Sequence, residues 1–221
     1  MKTTTKLLLA FTLAASSSAF AFDFTSLAAN ALAREAVHES KPHHRAASNS
    51  AFDGLSNSIS VPATGNLEVA FSPNEGSEAL VIKVIHSART SLRVLSYSFT
   101  SAPVTQALLE AKHRGVDVKL VADEKNNVSE DRSGKARAAL SALVNAGVDV
   151  RTIRVYPIHH DKVIIADEQT VELGSFNYSD AAARKNSENV FVNWNNPQLA
   201  KVYLAHFERN YRQSQPYATR Y

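Results

Sequence analysis

The sequence predicts a mixed α/β domain, a partly parallel β-sheet flanked by helices. Three observations carry that prediction. Between Leu67 and Val155, β-rich runs alternate with helical stretches of crossover length, the rhythm of βαβ units. Beyond Val155 the alternation gives way to two apolar strands joined by a short polar turn, which adds antiparallel members. No internal repeat divides the chain.

The elements follow in order. Lys2 and Lys6, the apolar stretch Leu7 to Ala15 and the small-x-small trio Ala19-Phe20-Ala21 read as a secretory signal over residues 1–21, with cleavage after Ala21. The apolar stretch is too short to span a bilayer. Residues 22–66 are rich in Ala, Ser, Asn and His and are expected to be a poorly ordered tail or linker. His38, His43 and His44 lie there without carboxylates at ligand spacing, so they read as solvated rather than metal-binding.

The domain is expected over residues 67–215. Leu67 to Phe71 alternates as a strand, and Ser77 to Ala88 has helical spacing with Ser77 as N-cap. Ser91 to Phe99 is β-rich, and the helix Ala102 to Arg114 stops at Gly115. Val116 to Ala122 is the next strand, and the helix Lys135 to Ala146 ends at Gly147 before a strand from Val148 to Val155. A hairpin of His160 to Ala166 and Thr170 to Phe176, a strand from Asn189 to Trp194 and a helix from Pro197 to Arg212 complete the domain.

Composition removes several function classes. The chain has no cysteine, which excludes disulfides, thiolate metal sites and Cys nucleophiles. Its formal charge of +3 includes Lys2 and Lys6, and no acid lies in the first 21 residues, so the mature balance is +1. Polyanion affinity must therefore come from local clusters. H-E-x-x-H, Asp-x-Asp and P-loop patterns are all missing, and no cofactor or metal is expected.

The hairpin holds the candidate site. His160 and Lys162 share a face of their strand, with Val163 and Ile165 on the other. A turn centred on Glu168 and Gln169 would pair His160 with Asn177 and Lys162 with Ser175. Polar side chains among Val, Ile and Leu break the burial pattern, as functional sites do. Asp167 has the opposite parity, and its expected role is a turn carboxylate bonded to local backbone. Gly174 allows close approach within the strand. His159 is expected to be peripheral, and His86, His113 and His206 to be core or surface residues of helical segments.

The run HDKVIIAD (His160 to Asp167) fits H-x-K-x4-D, GSFN fits G-S-x-N, and NSENV supplies a downstream acid. In these motifs the chain resembles the phospholipase D superfamily, most of all its small bacterial endonucleases with one motif per chain. The likeness extends over SLRVLSYSFTS, the helix ending in RGV and VDVKLVAD, so it covers about Leu67 to Arg212. It implies catalytic roles for His160, Lys162, Ser175, Asn177, Glu188 and Asp167, with His160 forming a phosphohistidine and Glu188 orienting an imidazole. One motif is half a site, so it also implies a homodimer sharing one active site.

Substrate class rests on what leads to that site. Arg184 and Lys185 follow the hairpin, and Lys125, Arg132, Lys135 and Arg137 lie in the preceding charged loop, a backbone track for nucleic acid diluted by Glu130 and Asp131. Phe176 and Tyr178 are the clearest apolar residues for a lipid interface. The expectation is a periplasmic or secreted metal-independent endonuclease. The alternatives are a phospholipase D acting on lipid headgroups and a non-catalytic nucleic-acid-binding protein.

Overall fold

The computed structural model describes residues 58–219 of the 221-residue chain. The expected signal, most of the tail, and His38, His43 and His44 lie outside the described residues. The elements begin with β1 (Asn66–Ser72), α1 (Ser77–Ser87), β2 (Ser91–Ser96), α2 (Ala102–His113) and β3 (Asp117–Asp123). A π-helical turn (Lys125–Ser129) leads into α3 (Lys135–Asn145) and β4 (Asp149–Ile153). The hairpin β5 (Lys162–Ala166) and β6 (Thr170–Gly174), the short helix α4 (Asp180–Arg184), β7 (Glu188–Trp194), α5 (Pro197–Gln213) and β8 (Gln215–Pro216) follow.

The strands form one sheet in the order β1-β7-β6-β5-β2-β3-β4-β8. Only β2, β3 and β4 run parallel, because α2 and α3 make the crossovers that parallel neighbours require. One face packs against α1, α2 and α3 through Val81, Val84, Val94, Leu108, Leu120 and Ile164. The other is covered by α5, whose Ala200 and Phe207 meet Leu95, Val163, Ile165 and Val171. β5 lies between the two layers, so its VIIA run is apolar on both faces. Among the described residues no helix is long and apolar enough to cross a membrane.

Several boundaries differ from the sequence expectation for local reasons. The N-cap of α1 is Gly76 at φ 93°, and the Ser77 hydroxyl instead accepts from Ser72. The stretch before β1 is already tied to the domain, with Thr64 and Pro62 carbonyls accepting from Asn193 and Asn196. Gly65 is forced there, since a Cβ would stand 1.7 Å from the Trp194 carbonyl oxygen. The π-helical turn, α4 and β8 were not anticipated; each is too short to display a hydrophobic period.

The hairpin register is displaced by one residue from the expected pairing. Val163 faces Leu173 and Ala166 faces Thr170, so His160 is not opposite Asn177 and Lys162 is not opposite Ser175. Asp167 and Glu168 both adopt positive φ, and Gln169 N–H donates to the Ala166 carbonyl. That three-residue connection sets the pairing. β6 stops at Gly174, where a Cβ would lie 2.2 Å from the Asn189 carbonyl oxygen.

Asp167 does more than close its own turn. Its carboxylate accepts from the backbone N–H groups of Arg89, Thr90 and Ser91 and from the Thr90 hydroxyl, at 2.8–2.9 Å. The expected partner was local backbone; the actual one is the loop before β2. Burial works to raise the Asp167 pKa, and these donors overrule it, holding it below the ordinary carboxylate value. Asp167→Ala leaves three N–H groups without their acceptor. The expected loss is about 2 kcal/mol, measurable by denaturant unfolding.

Glu172 presents the opposite case. It is fully buried on the helical face of β6, and its Oε2 accepts from the Tyr178 hydroxyl at 2.9 Å. Burial raises its pKa from 4.5 to about 8, against the lowering effect of that hydrogen bond. The folded chain therefore holds a proton that the unfolded chain releases above about 4.5, so this group's contribution falls as pH rises from 4.5 through 8. Glu172→Gln, neutral at every pH, should flatten that fall. Melting temperatures measured from pH 5 to 9 should show the variant gaining on the wild type toward the alkaline end.

Candidate active site

Lys162 opens β5 opposite Ser96, the last residue of β2, so the motif stands at the carboxyl edge of the parallel strands. The ladder continues one step further: Tyr97 N–H donates to the Asp161 carbonyl at 2.9 Å. His160 precedes the strand and is exposed, whereas Lys162 is only 5% exposed. Lys162 Nζ donates to the His160 carbonyl at 2.8 Å and lies 5.0 Å from the centroid of the Tyr97 ring. The same ring lies 4.6 Å from the His160 imidazole. Desolvation draws the Lys162 pKa down, and the charges of Asp161 and Glu188 oppose it.

Ser175 lies beyond the end of β6, where strand parity no longer applies. Its Oγ donates to Glu188 Oε2 at 2.6 Å and accepts from Asn189 N–H at 3.1 Å. Glu188 also accepts from Asn186 Nδ2 at 2.9 Å. Its partners are therefore a hydroxyl and an amide, and the expected contact to an imidazole is not made within one chain among the described residues. Asn177 Oδ1 is buried without a hydrogen-bond partner. Since amide oxygen and nitrogen are assigned from the surrounding network, this is an amide edge with unused hydrogen-bonding capacity.

Of the predicted site residues, then, Lys162 stands in the field of Glu188, and Glu188 holds Ser175. Asp167 does not join them, lying at the far end of β5. The residues missed by the sequence reading surround His160 and Lys162. Tyr97 touches both, and its carbonyl accepts from Asn127 Nδ2 at 2.6 Å. Asn127, fully buried in the π-helical turn, also accepts from Phe99 N–H. Asp123 accepts from His159 N–H, so β3 fixes the residue next to the motif histidine.

His159 and His206 meet at one carboxylate, a contact the sequence reading did not include. His159 is buried with Nε2 3.2 Å from Asp161 Oδ2, and His206 Nε2 reaches the same oxygen at 2.9 Å. Burial works to raise the Asp161 pKa, but the two imidazoles hold it well below the ordinary carboxylate range. Asp161 thus ties α5 to the motif. The variable middle position of H-x-K gave no sign of this, since its partner is 45 residues away.

The cations divide. Asp131 binds Ser133 Oγ and Arg137 N–H, and Arg137 donates to the Val128 carbonyl, so much of the charged loop folds on itself. Arg184 pairs with Asp180 on α4, and Lys185 is exposed at its end. Phe176 and Tyr178, the expected apolar contacts, are fully buried in the core and face no interface. Among the described residues no three His, Cys, Asp or Glu side chains cluster to hold a metal ion.

Known proteins resemble this chain in sequence and fold. A family model described as "Cardiolipin synthase, PLD-like domain" matches residues 81–211. A "Phospholipase D" of Rickettsia bellii is 34% identical over 146 residues, 66% of this chain and 69% of that protein. A "Mitochondrial cardiolipin hydrolase" of Danio rerio is 30% identical over 59% of this chain and 55% of its own length. The crystal structure of a phospholipase D family member, Nuc from Salmonella typhimurium, is 44% identical with a TM-score of 0.65, covering 69% of this chain and 97% of that one. NucT from Helicobacter pylori, 23% identical with a TM-score of 0.59 over 69% of this chain and all of that one, shares the fold. Matched by that family model over more than half its length, and carrying one H-x-K-x4-D motif on the common sheet, this chain belongs to the phospholipase D superfamily in its single-motif bacterial form.

Proposed function

We propose that the chain is an exported phosphodiesterase that cleaves nucleic acid without a metal, through a phosphohistidine on His160. The observation that carries the reading is the contrast between an exposed His160 and a buried Lys162, both set against Tyr97. An exposed imidazole can reach phosphorus, and a desolvated ammonium beside it acts on the phosphoryl oxygens in low dielectric. Export rests on the basic, apolar and small-x-small pattern of the first 21 residues.

The reaction has two displacements. A nitrogen of His160 attacks phosphorus, forming N–P as the P–O bond to the leaving alkoxide breaks, and a second imidazole supplies that alkoxide's proton. The second imidazole then takes a proton from water, whose oxygen attacks phosphorus as N–P breaks. Lys162 and the Asn177 amide meet the non-bridging oxygens. Ser175, held by Glu188, stands beside them.

The second imidazole is the partner copy's His160. Support comes from the edge of the sheet, where Leu67, Val69 and Phe71 of β1 share one face and remain 65%, 55% and 50% exposed. Phe71 is opposite Asn189, which contacts Ser175, so this apolar strip starts beside the site. A twofold dimer would bury it and bring two half-sites together.

Phospholipid is the second reading. Val155 and Ile158, in the loop leading to His160, are more than half exposed, and curated relatives carry the name phospholipase D. The nuclease reading is favoured because Phe176 and Tyr178 are unavailable to a lipid surface, and because the motif resembles that of the small bacterial endonucleases.

Purified mature protein should cut plasmid DNA in the presence of chelator and leave phosphatidylcholine intact, and His160→Asn should reduce cutting to background. Cleavage of lipid alone would reverse the substrate assignment, and dependence on metal would defeat the mechanism. One imidazole acting as nucleophile and another as acid predict a bell-shaped dependence of kcat on pH. Val69→Asp should give a folded monomer in light scattering with activity down by roughly 10²-fold or more, the loss of a general acid; an active monomer would rule out the shared site.

A further inference from the structure

A cavity of about 670 Å³ opens between the amino ends of α2 and α3 and the short helix α4. Its wall is formed by Pro103, Leu109, Ala138 and Ala139, and its rim carries Lys135, Arg184, Glu78 and Asp180. Lys135 and Arg184 come from stretches 49 residues apart in sequence, and the fold brings both to one opening. Resting on the nuclease reading, we propose that this cavity is a nucleotide subsite: it receives the base and phosphate of a nucleotide flanking the scissile phosphodiester.

Position supports the assignment. The N–H groups of Thr100 and Ser101, which line the cavity, both donate to the Tyr178 carbonyl at 2.8 Å, and Tyr178 follows the site residue Asn177. Asp180, on the rim, is three residues from Asn177, at most about 10 Å of extended chain. The cavity therefore lies beside the candidate active site, at the carboxyl edge of the parallel strands where α/β folds hold ligands.

Its chemistry selects the occupant. An alkyl chain entering here would strip water from four charged side chains, whereas a nucleotide uses both signs. A phosphate meets Lys135 and Arg184, a base lies against Pro103 and Leu109, and its amino or the sugar hydroxyl donors face Glu78 and Asp180. Asp180 holds Arg184 through Nε, which orients the guanidinium without consuming its other nitrogens in that contact. Glu78 Oε1 already accepts from Ser101 Oγ, so a ligand donor would be received by Oε2.

The test compares a single-stranded 12-mer deoxyoligonucleotide with methyl p-nitrophenyl phosphate, a diester that carries no flanking nucleotide to place in the cavity. Ala138→Trp fills the cavity from an exposed helix position, and Lys135→Gln removes a cation. With melting temperature unchanged, each variant should lower the ratio of oligonucleotide to small-diester kcat/KM by roughly tenfold, through KM, as loss of one charge-assisted contact implies. A ratio that stays at the wild-type value in either variant overturns the subsite while leaving the nuclease reading intact. A wild type that hydrolyses the small diester but not the oligonucleotide defeats the nuclease reading itself.

Discussion

The antiparallel pairing of β5 with β2 is the constraint on which the rest of the site depends. At one end, Ser96 faces Lys162 and Tyr97 N–H binds the Asp161 carbonyl, which puts an aromatic ring against both His160 and Lys162. At the other end, the Asp167 carboxylate gathers the N–H groups of the loop entering β2. The first and last residues of H-x-K-x4-D thus stand at opposite ends of one ladder, the first exposed where the proposed mechanism needs its nucleophile and the last as the anchor that holds the register. A one-residue slip would turn Lys162 to the other face of the sheet and carry the Asp167 carboxylate away from those N–H groups.

Around that ladder, three ionisable groups are tuned in different directions by the same low-dielectric interior. Glu172 meets only neutral donors, the Tyr178 hydroxyl and the Ile164 backbone, and no cation, so burial dominates and the carboxyl stays protonated up to about pH 8. Asp161 is also desolvated, yet two imidazoles reverse the outcome and keep it ionised. Lys162 is pulled toward neutrality by burial and back toward its charge by Asp161 and Glu188. The histidines His159 and His206 therefore serve the site indirectly, by sustaining the carboxylate that supports the lysine and fastens α5 to the motif strand.

The motif letters made the catalytic region legible, and the alternation of periods made the fold class legible. The partners were harder to read. Tyr97 sits in a run that reads as a continuing strand, and nothing local shows that the chain leaves β2 at Ser96 to present that ring. Asn127 lies in a polar loop whose composition suggests solvent, yet it is fully buried because its amide bridges Tyr97, Phe99 and Asp123 backbone. The expected turn at Glu168 and Gln169 was one residue off because the connection uses consecutive positive-φ residues, Asp167 and Glu168, neither of them glycine.

By itself, the sequence determined the order of the longer elements, the mixed sheet, the lack of cysteine and the candidacy of His160, Lys162, Ser175, Asn177 and Glu188 as a chemical set. These depend on residue type, periodicity and short spacing, which are properties of the chain as written. Tertiary structure alone decided that Glu188 holds Ser175, that Asp161 joins His159 to His206, that Phe176 and Tyr178 belong to the core, and that Lys135 and Arg184 share a cavity. Each of those brings together side chains distant in sequence, a placement fixed by strand register and helix packing, and hydrophobic burial sets that geometry over the whole domain at once.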